Sequence, residues 1–384
     1  MIGLPPEPIP DDVDAFRRVA RAFLSETLSG SIDEWERGDA PVPFRQLFRR
    51  IGERGFFSAA YPVSAGGSGK GTAHRMVWLE ELGRLDSSGL ALSLATQSDM
   101  STPPLLGHGS PRLKQEILVK ALAGELIGAV AITERSGGSD LSRLATTIEP
   151  AGAGYAVTGS KAFVTNAGIA DFFVTLCRIA GTSRRLCLAV VTAETPGVSV
   201  ARPYRKLGNR AGDHAEVTFD GAVVAEDMVL GLDGSGLAIQ LEQLAHERFA
   251  LAVIFVAQAR RMIEGLMPEA RSRVVFGRPL VDHQRVSFSL VDLYSEVLVL
   301  ESYVMAVASL LDRDRDCVAE ASVAKVRAAR LVKAVADECL ELSGARGFML
   351  DESLARSVRD ARGASLVGGA EDAIMHMLVG LLPR

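Results

Sequence analysis

The sequence predicts an α+β chain built in three parts: an opening set of helices, a run of short strands, and a closing set of long helices. Three observations support this order. Apolar residues recur at helical spacing up to residue 126, short apolar or alternating runs punctuated by Gly, Asn, Asp and Pro occupy 127–235, and the helical period returns at 236 and persists. The expected parts are an N-terminal helical domain (1–126), a middle antiparallel β-barrel or sandwich (127–235) and a C-terminal helical bundle (236–384).

Residues 11–29 open the first domain, with Val13, Phe16, Val19, Ala20, Phe23 and Leu24 on one helical face and Asp11, Asp12 and Asp14 at the positive end of the helix dipole. Further helices are expected at 43–55, 74–85, 91–97 and 113–123. The Gly-rich stretch 64–71, SAGGSGKG, lacks the spacing of a phosphate-binding P-loop and does not follow a strand, so it reads as a connector. Strands are expected at 127–133, 155–160, 162–165, 172–177, 185–192, 198–202 and 215–224. No helical pattern lies between them, which argues against a Rossmann unit. Helices are expected at 237–267, 281–312, 317–345 and 370–381.

Composition narrows the possible functions. Of 384 residues, 48% are hydrophobic, enough for a sizeable core, and 42 Lys and Arg against 47 Asp and Glu leave a net charge of −5. No basic tract follows that would track a phosphate backbone, so nucleic acid is not an expected partner. Cys177, Cys187, Cys317 and Cys339 show neither metal-ligand pairing nor a disulfide framework, so no metal is expected and a reduced, cytoplasmic compartment fits. The N-terminus, MIGLPPEPIPDDVD, is unlike a secretory signal. No uninterrupted run of about 18 apolar residues suggests a membrane span.

One carboxylate stands out. Within LEQLAHERFALAV, 241–253, Glu247 lies on the same helical stripe as Leu244, Leu251 and Ile254, a stripe that should face the interior. Its neighbours three and four residues away, Gln243, Leu244, Ala250 and Leu251, offer no cation. A buried carboxylate without a local partner is costly or becomes protonated. It either meets a distant cation in a structural ion pair or serves chemistry. His246, one residue before it, points elsewhere around the helix and reads as surface or packing.

Four other stretches suggest a site. AITERSGGSD, 131–140, aims hydroxyls and backbone N–H groups from a strand end, which suits a planar polar ring or a pyrophosphate, or is a plain Gly-rich turn. GSKAFVTNAGIAD, 159–171, places Phe163 and Thr165 on one strand face, one able to stack on a ring and the other to hydrogen-bond it, or simply in the core. RVVFGRPLVDHQ, 273–284, and the pair LSGARGF, 342–348, with SVRDARGASLVGGAED, 357–372, carry glycines and charges where interhelical loops are expected.

Together these stretches resemble the acyl-CoA dehydrogenase flavoproteins, over nearly the whole chain. The family's T-E-x-x-x-G-S-D is met by Thr133, Glu134, Gly138, Ser139 and Asp140, and its G-x-K-x-[WF]-[IV]-T-N by Gly159, Lys161, Phe163, Val164, Thr165 and Asn166. R-x-x-F-G-[KR]-P is met by Arg273, Phe276, Gly277, Arg278 and Pro279, with Gln284 at the expected distance; G-x-x-G-[YF] by Gly344, Gly347 and Phe348; and R-D-A by Arg359, Asp360 and Ala361. The resemblance implies an acyl-CoA dehydrogenase-like fold and FAD as cofactor. It implies that Val130, Ile132, Thr133, Gly138, Ser139, Phe163 and Thr165 line the flavin and its pyrophosphate, and that Ser139 also touches substrate. It further implies that Arg273, Phe276, Gln284, Glu341 and Gly344 serve the FAD of a partner subunit in a homodimer or homotetramer. The implied substrate is an acyl thioester of CoA or of an acyl-carrier protein, and the implied acceptor is an electron-transferring flavoprotein or oxygen.

The family's usual base, a Glu in E-G-[TS] shortly after R-D-A, falls here on Gly368, with Gly369 and Ala370 following. The family's glutamine at 341 is Glu341. A minority of the family, the isovaleryl and long-chain types, carries its base in an E-R pair upstream of F-G. Glu247-Arg248 matches that pair at the same separation from Phe276, which makes Glu247 the implied base and Arg248 an implied substrate contact. The missing E-G-T also admits a flavin monooxygenase or a nitroalkane or amine oxidase on the same fold, or an inactive binding module. The Arg-rich, Lys-poor composition leaves room for a biosynthetic role on a carrier-bound acyl unit.

Overall fold

The computed structural model describes residues 11–28, 30–138, 140–182, 184–313 and 315–382. The first part is helical: α1 (Asp11–Leu28), α2 (Ile32–Arg37), α3 (Phe44–Glu53), α4 (Thr72–Gly83), α5 (Ser88–Ala95), α6 (Pro103–His108), α7 (Pro111–Leu113) and α8 (Val119–Leu122). The stretch 64–71 is a connector, with Gly66, Gly69 and Gly71 all at positive φ. Two π-helical segments interrupt the run, Thr96–Ser101 after α5 and Lys114–Leu118 between α7 and α8.

The first π segment is buried throughout and joins this domain to the sheet. Gln97 Nε2 donates to the carbonyls of Ala121 and Leu126, both at 2.7 Å, and Gln97 Oε1 accepts the Gly128 N–H at 2.8 Å. One side chain thus sets where the first strand leaves the helices.

The sheet contains β1 (Gly128–Ala131), β2 (Thr147–Ala151), β3 (Gly154–Thr165), β4 (Phe172–Ile179), β5 (Leu186–Thr192), β6 (Val198–Val200), β7 (His214–Ala225) and β8 (Val229–Leu230). Its order is β6-β7-β3-β2-β4-β5-β8, with β1 on β4. It is largely antiparallel, but β1 and β2 each run parallel to β4, which corrects the wholly antiparallel expectation. The reason is connectivity: β1 enters from the helical domain instead of folding back as a hairpin, so nothing reverses it against β4. The two strands expected at 155–160 and 162–165 are one strand, β3, with register shifts against β7. Along β4, Phe172, Val174 and Leu176 pack with Leu105, Leu118 and Leu122 of the helices, while Phe173 and Cys177 face an inner core with Val217 and Phe219. The strand's alternation therefore serves two cores at once.

The closing bundle holds α9 (Gly236–Ser272), a hairpin of β9 (Val274–Val275) and β10 (Arg278–Pro279), α10 (Gln284–Leu311), α11 (Val318–Gly347), α12 (Ser353–Gly363) and α13 (Glu371–Val379). Between Arg248 and Ala259, α9 is buried on every face, packed between α4 and α11. α10 is long and apolar enough, with mean hydropathy 1.4 in its most apolar window, to cross a bilayer by length and composition. α10 contains no uninterrupted run of about 18 apolar residues, the feature sought in the sequence, because scattered Ser, Asp and Glu residues break any such run. It is a bundle member nonetheless: Val286, Leu290, Val297, Leu300 and Val304 are buried, while Phe288, Val291 and Val299 stand 60%, 53% and 62% exposed.

Replacing Gln97 by Leu leaves the buried Gly128 N–H and the Leu126 carbonyl without their partner, while the Ala121 carbonyl keeps the Gly124 N–H. At about 1–3 kcal/mol for each stranded group, the variant is expected to lose about 2 kcal/mol or more of stability, read as a lower denaturant midpoint.

Candidate active site

Glu247 sits in the middle of the molecule on α9, half-buried. Gln243, one turn earlier, donates Nε2 to Glu247 Oε2 at 2.9 Å, and Gln240 Nε2 donates to Gln243 Oε1 at 2.6 Å. The three side chains follow the i, i+3, i+7 spacing of one helical stripe. Burial pushes the Glu247 carboxyl above its ordinary range, against the hydrogen bond from Gln243 and the charges of Arg248 and Lys325.

Opposite Glu247 lies the turn between α12 and α13. Gly368 adopts φ +66°, and a Cβ there would lie 2.5 Å from Leu251 Cδ1 and 3.5 Å from Glu247 Oε1. The two positions that carry a base in different branches of the implied family are therefore neighbours across a small gap. A side chain at 368 would collide with Leu251, and a carboxylate there would crowd Glu247.

Arg248, expected to contact substrate, bonds to the glycine turn and to α11. It is buried, donates Nε to the Gly368 carbonyl at 3.1 Å and Nη1 to Ser322 Oγ at 2.8 Å. Lys325 of α11, 0% exposed, donates Nζ to the Gly369 carbonyl at 2.8 Å. Burial, then the nearby Arg248 charge, brings the Lys325 ammonium down to about 8. Two cations thus fasten the glycine turn to the bundle. Sequence reasoning missed Lys325, although a lysine amid the apolar and small residues of EASVAKVRAAR is the signal that could have found it. His246, read as surface or packing, meets Arg75 Nη1 at 3.0 Å; burial and that charge push its imidazole down to about 3, so it stays neutral.

The sheet supplies a second cluster. Glu134, 5% exposed, accepts the N–H groups of Ala145 and Thr146 at 2.7 and 2.9 Å and Lys161 Nζ at 2.9 Å, and Lys161 also donates to the Ile132 carbonyl at 3.0 Å. Burial alone would raise the Glu134 carboxyl, but the bonds from Thr146 and Ala145 and the Lys161 charge hold it below the ordinary range. Ala162 N–H reaches the Thr133 carbonyl at 2.8 Å. These bonds set the path of Val130, Ile132 and Thr133, all half-buried, beside the irregular end of β3.

There Phe163 takes φ +58°, a conformation rare for an aromatic residue, and stands 60% exposed beside Tyr204, ring centroids 5.2 Å apart. Thr165 follows, half-buried, paired with His214 of β7. Gly138, five residues after Thr133, is exposed, and Ser139 lies outside the described residues. An outward-turned aromatic ring with a half-open hydroxyl two residues on fits one side of a flavin ring.

The remaining expected residues gather elsewhere. Arg273 donates Nη1 to the Leu342 carbonyl at 3.0 Å and lies 3.7 Å from the Cβ position of Gly344, which has φ +61°. Phe276 is 95% exposed, and Gln284 and Glu341 are exposed. Arg273 is 26 residues beyond Glu247 along α9, about 39 Å at helical rise. The structure does not bring this group to Glu247 within one chain. The R-D-A motif is a junction: Asp360 accepts the N–H groups of Asn209 and Ser88 at 2.6 and 3.2 Å, tying bundle, sheet and N-terminal helices, and burial raises its carboxyl to about 6.

A helical domain, a β domain and a helical bundle, assembled around an inward carboxylate, define a three-domain oxidoreductase architecture. Sequence descriptions of the acyl-CoA dehydrogenase N-terminal, middle and C-terminal domains match residues 10–125, 129–222 and 234–380. An acyl-CoA dehydrogenase of Bacillus subtilis (strain 168) is 30% identical over 358 residues, 93% of this chain and 94% of that one. The crystal structure of an acyl-CoA dehydrogenase from Geobacillus kaustophilus superposes with TM-score 0.93 at 30% identity, covering 98% of this chain and all of the other. That of the prolyl acyl carrier protein oxidase AnaB superposes equally well at 25% identity, covering 98% and 100%. The chain belongs to the acyl-CoA dehydrogenase family, FAD-dependent oxidoreductases that act on CH–CH groups of acyl thioesters.

Lys161→Met leaves Glu134 as a buried, unpaired carboxylate. The variant is expected to lose about 3–5 kcal/mol in denaturant unfolding. Because the folded Glu134 carboxyl lies below its ordinary range, its contribution in wild type is present above that range and fades as pH falls through the folded value.

Proposed function

We propose that this chain dehydrogenates an acyl thioester at its α and β carbons, with Glu247 taking the α-proton. The observation that carries the reading is the adjacency of Glu247 and Gly368: the carboxylate is present on one side of the gap and missing on the other. When bound, FAD supplies the acceptor for the hydride that leaves the β-carbon. Val130, Ile132, Thr133, Gly138, Phe163 and Thr165 would hold the flavin side. Arg273, Phe276, Gln284 and Gly344 of a second copy would hold the rest, since they gather around Arg273, about 39 Å from Glu247 at helical rise. Glu341, where the family's pattern has glutamine, offers only acceptor atoms. Tetramers are typical of the family, and the exposed apolar residues of α10 with the fully open Phe276 support assembly with a second copy.

Glu247 acts as base only when ionised. Burial excludes water and raises its affinity for the proton, so that it accepts one more readily than an exposed carboxylate does. The departing proton remains on Glu247 while substrate carbon rehybridises. The alternative readings as a monooxygenase or an oxidase of nitroalkanes or amines drew on the absent E-G-T, and Glu247 beside Gly368 removes that motive. The likeness to AnaB supports a carrier-protein-bound acyl group alongside CoA as the substrate carrier. An electron-transferring flavoprotein is the acceptor carried over from the family resemblance, with oxygen the alternative. A cytoplasmic location belongs to the same proposal and draws support from four free, buried cysteines.

The test is anaerobic bleaching of the flavin in purified protein on addition of acyl-CoA and carrier-bound acyl thioesters. Wild type is expected to bleach with at least one thioester, and Glu247→Gln to slow the step by about 10²–10⁴-fold. Bleaching by no thioester, or equal rates in both proteins, overturns the proposal. The wild-type rate is expected to rise with pH through a value above the ordinary glutamate range, followed in stopped-flow across pH 5–9, about two units either side of neutrality.

A further inference from the structure

We propose that Gln243, locked by Gln240, is the positioning residue for the base: it ties down one oxygen of Glu247 and leaves the other to take the substrate proton. This rests on the reading of Glu247 as base.

The direction of the relay is set by its far end. Gln240 Nε2 donates to Gln243 Oε1 at 2.6 Å, which uses the carbonyl end of Gln243 and leaves its amide end to donate to Glu247 Oε2 at 2.9 Å. Reversing Gln243 would set its oxygen against the carboxylate and its NH₂ against the Gln240 NH₂, losing both bonds. Gln240 and Gln243 are 0% and 2% exposed, so neither amide has water as an alternative partner. Gln240 Oε1 has no partner among the described residues. A stranded buried acceptor destabilises the fold, and an apolar residue at 240 would avoid that cost. The amide at 240 therefore works through what it holds.

The relay acts on one oxygen only. Glu247 Oε2 receives the amide, while Oε1 has no hydrogen bond among the described residues and lies 3.5 Å from the Cβ position of Gly368. Oε1 faces the space that the glycine leaves open. A carboxylate tethered at one oxygen keeps its plane fixed, which favours transfer to the other oxygen along a single approach.

The same bond favours the ionised form. The charged groups facing Glu247 are Arg248 on its own helix and Lys325 on α11. His246 is neutral, and the glycine turn contributes no charge. Arg248 bonds to the Gly368 carbonyl and Ser322 and Lys325 to the Gly369 carbonyl, leaving Gln243 as the direct donor to Glu247 among the described residues.

The experiment follows the pH dependence of thioester-driven flavin bleaching in Gln243→Leu and Gln240→Met, alongside Glu247→Gln, normalised to bound flavin. Gln243→Leu is expected to slow bleaching about 10–100-fold at neutral pH and to move the acid limb about one pH unit higher, since loss of a charge-assisted donor is of that order. Gln240→Met is expected to move the limb the same way by a smaller amount while unfolding no more easily than wild type. It also carries the test if Gln243→Leu fails to fold. A limb that stays in place in the variants that fold overturns the inference, whatever happens to the rate, because a merely structural role lowers flavin content or stability without moving it. If Glu247→Gln bleaches as fast as wild type, the reading of the base fails instead.

Discussion

The geometry of the candidate site depends on a turn without side chains held hard against a helix. Gly368 and Gly369 present their carbonyls to Arg248 and Lys325, two buried cations that bond to backbone rather than to a carboxylate. Each buried cation thus keeps a hydrogen-bond acceptor inside the protein, which lowers the cost of burying it. The absence of a Cβ at 368 lets the turn come within contact of Leu251 and leaves room for Glu247. Base, turn and cations form one unit, and a side chain at 368 would disturb all of it.

The sheet has a comparable device. The Lys161–Glu134 pair is buried, and its remaining valences are filled by the N–H groups of Ala145 and Thr146 and by the Ile132 carbonyl. It joins the two sequence stretches that looked like independent motifs, one after β1 and one in β3. Their separation in the chain concealed a direct ionic contact. With that contact in place, the end of β3 can depart from regular pleating and turn Phe163 outward. Gln97 performs the matching task at the other end of β1.

The order helices, sheet, helices was legible because each part imposes its own period on apolar residues, and the same reasoning marked Glu247 as a carboxylate on an interior stripe. Pairing within the sheet was not legible: whether β1 and β2 run parallel or antiparallel to β4 depends on how the chain crosses, which side-chain alternation does not encode. The strand β2 and helix α12 were also hidden, one short and interrupted by Pro150, the other embedded in a charged stretch. The π-helical turn at 96–101 was invisible for a related reason, since it is stabilised by bonds from Gln97 to distant backbone rather than by any local pattern. Arg248 shows the limit most clearly. Its place beside Glu247 was readable, but a step of one residue on a helix turns a side chain by about 100°, and that rotation sends it to the Gly368 carbonyl and Ser322 rather than to the Glu247 carboxylate.

By itself the sequence determined the three-part architecture, the family, the presence of a carboxylate at 247 and the lack of one at 368, because these are matters of residue type and period. Only the tertiary structure decided that the two positions face each other across a gap of a few ångströms, that Gln240 and Gln243 point their amides toward the base, and that Lys325 reaches the same turn from another helix. Residues 240, 247, 325 and 368 lie on three separate stretches of chain. Their contact is a product of how α9, α11 and the turn pack, and packing is settled by the shapes of all the buried side chains together rather than by any of them alone.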